Sequence, residues 1–268
     1  MSGWKLIPPS WTSGATATAT SEATSDVGAS NLLAVQRSRL YRSSGLSGIQ
    51  ITLDAGEAKD FDTVVLLGTN GFDGTARVTA NASTGSLFSA PSVDSGSQNI
   101  RLPGDLSAFT EVDFVHQFSS VHTYRYIGIE IVDASNPDGY FQAGVAMAGV
   151  RFEPPLGPEI GFRFGLDDDS NGIRLLGGEL IVRPKRPNMT ASWTFTFQSH
   201  TIMYQFLGIN RVYGSQVPVV VLHEPFQGDY QQHNLYYGYL QWRAGGAISY
   251  INATGGGYYD VDIGILEL

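Results

Sequence analysis

Cysteine is absent from the 268 residues, so neither disulfides nor thiolate-bound metal support the fold, and packing has to stabilise it. Basic residues are scarce as well: Lys and Arg number 16 against 25 Asp and Glu, a formal net charge of -9. The densest basic cluster is Arg183, Lys185 and Arg186. That is too little to replace counterions along a phosphate backbone, which excludes a nucleic-acid partner. Apolar runs stay well short of the roughly 18 residues of a membrane span, so no membrane insertion is expected. The opening Met-Ser-Gly-Trp-Lys lacks a charged segment leading into an apolar one; the expectation is a chain made in a cytoplasm without a signal peptide. Three Asn-x-Ser/Thr sequons, at Asn81, Asn188 and Asn252, then read as β-surface polar neighbours.

Charged residues make up only 15% of the chain and hydrophobic ones 42%, so Ser, Thr, Asn, Gln and Gly must supply the polar surface. With 32 Gly, 13 Tyr and 14 Phe, the composition fits tight turns and half-buried pleated surfaces. Period-2 alternation is plain at Ile49, Ile51 and Leu53, at Ala76, Val78 and Ala80, and at Ile127, Ile129 and Ile131. Asp54 to Asp62 reads as a turn, Val64 to Thr69 as a central strand, and Ala143 to Phe152 as a further strand. Pro154, Pro155, Gly157 and Pro158 interrupt the pattern, placing a domain boundary there: residues 1–153 and 154–268. In the second part Trp193, Phe195 and Phe197 alternate. Apolar residues Ile202, Met203, Phe206, Leu207 and Ile209 then recur at helical spacing after Ser199. The strands Val217 to Leu222, Leu235 to Trp242 and Tyr258 to Leu266 complete an all-β reading: two tandem antiparallel β-sandwich domains, the second with one short helix.

Residues Thr12 to Ser30 are almost entirely Thr, Ala, Ser and Gly, too poor in large apolar groups to hold a core. They read as an arm that orders only against a domain surface or another subunit. Trp4 and Trp11 would anchor it there as interface residues, each able to bury about 150–250 Å².

The stretch SGIQITLDAGEAKDFDTVVLLGTNGFDGTARVTANAS, residues 47–83, and YRYIGIEIVDAS, residues 124–135, resemble discoidin-like or galactose-binding-like jelly rolls. The resemblance covers residues 1–153. Three segments further on, GGELIVRPKRPNMTASWTFTF (177–197), GINRVYGSQVPVVVLHEP (208–225) and YYDVDIGILEL (258–268), are similar in layout to tail-tip proteins of tailed bacteriophages, namely distal tail, baseplate and minor tail components. That resemblance implies a structural virion protein of the phage tail, a homo-oligomer in contact with other virion tail proteins and with host-surface glycan. The jelly-roll resemblance implies the alternative, a carbohydrate-binding module or lectin for cell-surface glycan.

No catalytic constellation accompanies either resemblance, and no cofactor is expected. Asp167, Asp169, Asn171 and Gly172 match the first half of a calcium loop, but Gly178 stands where its bidentate Glu belongs, and ordinary turns use the same residues. His223, Glu224, Asp229 and His233 could ligate a transition metal, and equally could line a polar loop. His116, His122 and His200 have no nucleophile at a recognisable spacing, and no Gly-x-Ser-x-Gly elbow is present. Glu130, Asp133, Asp138 and Glu224 are the carboxylates a glycosidase would need to pair across a cleft. Tyr41, Tyr140, Tyr230 and Trp242 are aromatics able to stack on sugars, to anchor a subunit or to fill a core.

Overall fold

The computed structural model describes residues 3–101, 111–158, 163–167, 171–174, 180–183, 188–223, 235–241, 249–253 and 256–267. The chain divides into two compact units. The first comprises Leu6–Phe152 with Leu222–Leu235; the second comprises Met1–Lys5, Glu153–Val221 and Tyr236–Leu268. Strand β1 (Trp4–Ile7) opens the chain, and antiparallel sheets dominate both units. Among the described residues no helix is long and apolar enough to cross a membrane.

In the first unit β2 (Thr16–Ala19), β3 (Tyr41–Arg42), β4 (Ile49–Thr69), β5 (Thr75–Asn81), β6 (Val93–Asn99), β7 (Val112–Val132), β8 (Gln142–Ala143) and β9 (Val145–Gly149) follow one another. A six-stranded sheet runs β2-β4-β7-β5-β6, with β9 also on β4, while β3 pairs with β8. The alternating isoleucines meet across the ladder: Ile49 faces Ile131, Ile51 faces Ile129, and Leu53 faces Ile127. Ala76, Val78 and Ala80 of β5 continue these rows on the other side of β7. All nine side chains are buried, and each large one contributes about 1.5–3 kcal/mol.

The segment expected to turn at Asp54 to Asp62 does not end a strand. The β4–β7 ladder shifts register between Asp54 and Lys59, where Gly56 takes a left-handed φ of 80° that other residues adopt only with strain. Beyond this bulged corner β4 continues, now between β7 and β9, and buries Phe61, Val64 and Leu66. Two 21-residue strands thus serve the whole antiparallel sandwich.

The Thr/Ala arm is an edge strand. Thr16 to Ala19 pair with Asp54 to Ile51, and Ala15, Ala17 and Ala19 pack on the core. The segment gains order from a ladder that already exists rather than from apolar area of its own. Glu22 Oε1 accepts from Ala29 N at 2.9 Å and so caps the 3-10 turn Ala29–Leu33.

The second unit contains β10 (Arg163–Asp167), β11 (Asn171–Arg174), β12 (Leu180–Arg183), β13 (Asn188–Gln198), α1 (His200–Val212), β14 (Val219–His223), β15 (Leu235–Gln241), β16 (Ser249–Ala253) and β17 (Gly256–Glu267). Its large sheet runs β1-β14-β15-β17-β13-β10 with β16 on β17. Trp193, Phe195, Val221, Val261, Ile263 and Ile265 are buried, as their alternation predicts. The Oγ of Ser199 accepts from Ile202 N at 3.4 Å to cap α1, which turns Met203 and Phe206 inward.

Trp4 and Trp11 do not present surface to another subunit. Both are fully buried in this chain. Trp4 packs on Trp193, Phe195 and Phe206 with ring centroids 5.9, 4.8 and 6.1 Å away. Trp11 lies 6.2 Å from Phe61, and its Nε1 donates to Tyr124 O at 3.0 Å. The apolar area that made them candidate interface anchors is spent inside the fold.

Candidate functional site

The site is built from loops that the β-ladders bring to one end of the first unit. β4 ends at Thr69 and β5 begins at Thr75, leaving Asn70-Gly71-Phe72-Asp73-Gly74 as a tight connection. β7 ends at Val132 and β8 begins at Gln142, so the segment from Asp133 to Phe141 lies beside it. Asp133 joins the two. Its buried carboxylate accepts from Phe72 N at 3.0 Å, Asp73 N at 3.3 Å and Asn136 Nδ2 at 2.8 Å. Gly74 makes that approach possible, because a Cβ there would sit 2.5 Å from the Cβ of Asp133.

Asn70 forms a second tie. Its Oδ1 accepts from Gln142 N at 2.7 Å, and its Nδ2 donates to Asp138 Oδ2 at 2.8 Å and to Tyr140 O at 3.1 Å. Asn136 Nδ2 in turn donates to Asn70 O at 3.0 Å. These bonds fix Tyr140 and Gln142 against β3, where Arg42 is the register partner of Gln142. The Arg42 guanidinium carbon stands 4.1 Å from the centre of the Tyr140 ring, and Nη2 donates to Gln142 Oε1 at 3.1 Å. Nε of Arg42 is buried with no hydrogen-bond partner. Phe72 is 50% exposed and Val132 59% exposed at the same end, an apolar rim beside the polar cluster.

Chemically this is a ring with a guanidinium stacked over it, bordered by amide and carboxylate groups. A half-buried aromatic supplies a face for C–H groups, and the fork of Arg with Gln, Asn and Asp supplies directed donors and acceptors. No group here is placed as a nucleophile with its base.

The residues singled out in the sequence fall in different places. Tyr41 is buried rather than exposed, and its hydroxyl donates to Ser21 O at 2.6 Å; burial, and then Glu22, push its pKa up. Tyr140 joins the loop-end site, and Asp138 joins it through Asn70. Asp133 is scaffold rather than acid or base. Glu130 accepts from Arg77 Nη1 at 3.1 Å and from Gln50 Nε2 at 2.9 Å, so it belongs to a sheet-face network. His116 has its pKa lowered by burial and meets Gln98 Oε1 through Nδ1 at 2.9 Å, while His122 and His200 pack on Phe118 and Tyr204. Asn81 is buried and its Nδ2 donates to Ser86 Oγ, which removes it as a surface sequon.

Of the calcium-loop residues, Asp167 is paired with Asn188 in β10, and Asn171 and Gly172 with Arg183 and Val182 in β11. Asp169 lies outside the described residues, as do Gly178, Glu224, Asp229, Tyr230, His233 and Trp242. His223 ends β14 as a buried residue, its pKa lowered by that burial. Among the described residues no three His, Asp or Glu groups are gathered as a metal site. A hollow of about 160 Å³ lies in the second unit against Arg163, Gly165, Thr190, Ser192, Gln241 and Gly264.

No family model matches the sequence, and no curated protein does. Among solved structures the chain is similar to the family 32 carbohydrate-binding module of C. perfringens NanJ in complex with galactose. The identity is 16% with a TM-score of 0.40, over 56% of this chain and 99% of that one. It is also similar to chitosan-binding module 1 of a Paenibacillus chitosanase/glucanase, at 14% identity and TM-score 0.39 over 54% and 98% of the two chains. A Ruminococcus gnavus GH29 fucosidase in complex with fucose matches at 12% identity and TM-score 0.41, over 55% of this chain and 27% of the enzyme.

Proposed function

We infer that the first unit is a carbohydrate-binding module whose ligand sits at the loop end formed by Arg42, Asn70, Asp138, Tyr140 and Gln142. The observation that supports this reading is the Arg42–Tyr140 stack, 4.1 Å from guanidinium to ring centre, held within one network of amide and carboxylate hydrogen bonds. Sugars offer alternating apolar C–H faces and hydroxyl edges, and a ring framed by directed polar groups answers both. The same geometry supports binding over turnover, with Asp138 accepting from Asn70 and Asp133 from backbone amides. Titration calorimetry of the full chain against oligosaccharides tests the reading, with Tyr140→Ala as the paired variant. Saturable binding that falls at least about tenfold in the variant supports it. Binding that is absent throughout, or unchanged in the variant, overturns it.

A further inference from the structure

We propose that the glycan held at this loop end is acidic, its carboxylate pairing with Arg42. The inference rests on the carbohydrate-binding reading and concerns which sugars that site selects.

Four other half-buried arginines of the first unit meet carboxylates. Arg37 Nη2 meets Asp113 at 3.0 Å, Arg77 meets Asp94 at 2.7 Å and Glu130 at 3.1 Å, Arg125 Nε meets Asp54 at 2.8 Å, and Arg151 Nε lies 3.8 Å from Asp62. Each of these four guanidiniums is thus answered by a carboxylate of the fold, while Arg101 donates from Nη2 to Gly71 O at 3.2 Å. Arg42 is equally drawn into the surface, yet among the described residues the one hydrogen bond of its guanidinium is the neutral one to Gln142. Nε is buried without a partner, and Nη1 is not engaged.

Asp138 of the same network accepts from Asn70 Nδ2, and Asp133 is turned inward to Phe72 N, Asp73 N and Asn136. Glu22 is committed to Ala29 N. A guanidinium is planar and presents a fork that matches a carboxylate. Tyr140 holds that plane in place, which limits the side-chain ordering that binding would otherwise cost. In a chain with nine more acidic than basic residues, a cation left without an acid at the lip of a binding site is complementary to an acid on the ligand.

The test compares two ligands that differ only in charge: an oligogalacturonate and its methyl ester, titrated into the full chain. The expected result is binding of the acid at least about tenfold tighter than the ester, with the difference shrinking as salt rises. Arg42→Gln should bring the two ligands to the same affinity, and Arg42→Lys should restore only part of the preference because the fork is lost. A melting curve identifies any variant that fails to fold, and the wild-type comparison stands without it. Equal affinity for acid and ester overturns the acidic preference while leaving the carbohydrate reading intact. Binding of neither, in a series that includes galactose, chitosan oligomers and fucose, overturns the carbohydrate reading itself.

Discussion

Two arginines of the first unit occupy different electrostatic worlds. On the sheet face Arg77 meets Asp94 through two nitrogens, Nε at 2.9 Å and Nη2 at 2.7 Å, and reaches Glu130 with Nη1. At the loop end Arg42 has a ring and an amide and, among the described residues, no acid. The first guanidinium is saturated by its own chain and reads as part of the fold. The second retains capacity for a ligand. The difference shows that the number of charges in a region says less than whether each charge has been answered.

The largest effect should come from the scaffold that presents Arg42's surroundings. Asp133→Ala leaves two backbone amides and Asn136 Nδ2 without their acceptor, a loss of about 3 kcal/mol; urea unfolding should show it, together with weakened sugar binding. Should stability hold, the loop end is not organised through Asp133. Next comes Tyr140→Ala, which removes the ring from a half-buried position. Stability should fall by about 1 kcal/mol or less, while affinity drops by about tenfold or more. Here the ratio of the two effects is what separates a binding residue from a packing one.

Arg77→Ala provides the opposite ratio: about 1 kcal/mol of stability and no change in affinity. A drop in binding there would erase the contrast between the two arginines. The smallest effect concerns pH. Hydrogen bonds from Arg77 and Arg125 hold the carboxyls of Asp94 and Asp54 below the usual carboxylate range. Their contribution is therefore present above the unfolded-state pKa and lost as pH falls through the lower folded-state values. Because both pairs are partly exposed, the change is small and screened by salt. A melting-temperature series from neutral to acid pH should decline less steeply in Arg77→Met, and an identical slope would show that the sheet-face charges are not coupled to folding.

Much of the scaffold was legible because it is periodic. Ile49, Ile51 and Leu53 declared a buried face, and the ladder places them opposite Ile131, Ile129 and Ile127; Ser199 announced the start of α1. The bulge near Gly56 was not legible, since a corner within one strand has the same Gly and Asp content as a turn between two. The Thr/Ala arm misled for a related reason: composition reports what a segment can bury by itself, and β2 depends on the edge of β4. The site was least visible. Tyr140 stood among the candidate aromatics, but its partner Arg42 comes from a strand of only two residues, distant in sequence, and no local period links them. A free cation beside an aromatic could have been sought, yet only the ladders reveal which arginines already have acids.

The grouping of Met1–Lys5 with residues beyond Glu153 has a consequence for biosynthesis. Trp4 leaves the ribosome before Leu6–Phe152, whereas Trp193, Phe195 and Phe206, on which it rests, follow only after that stretch has been translated. At about 5–20 residues per second that interval is roughly ten to forty seconds. Through it the nascent chain carries an indole with no native contact. The second unit therefore takes its segments from either side of Leu6–Phe152 and closes only after that stretch has been made.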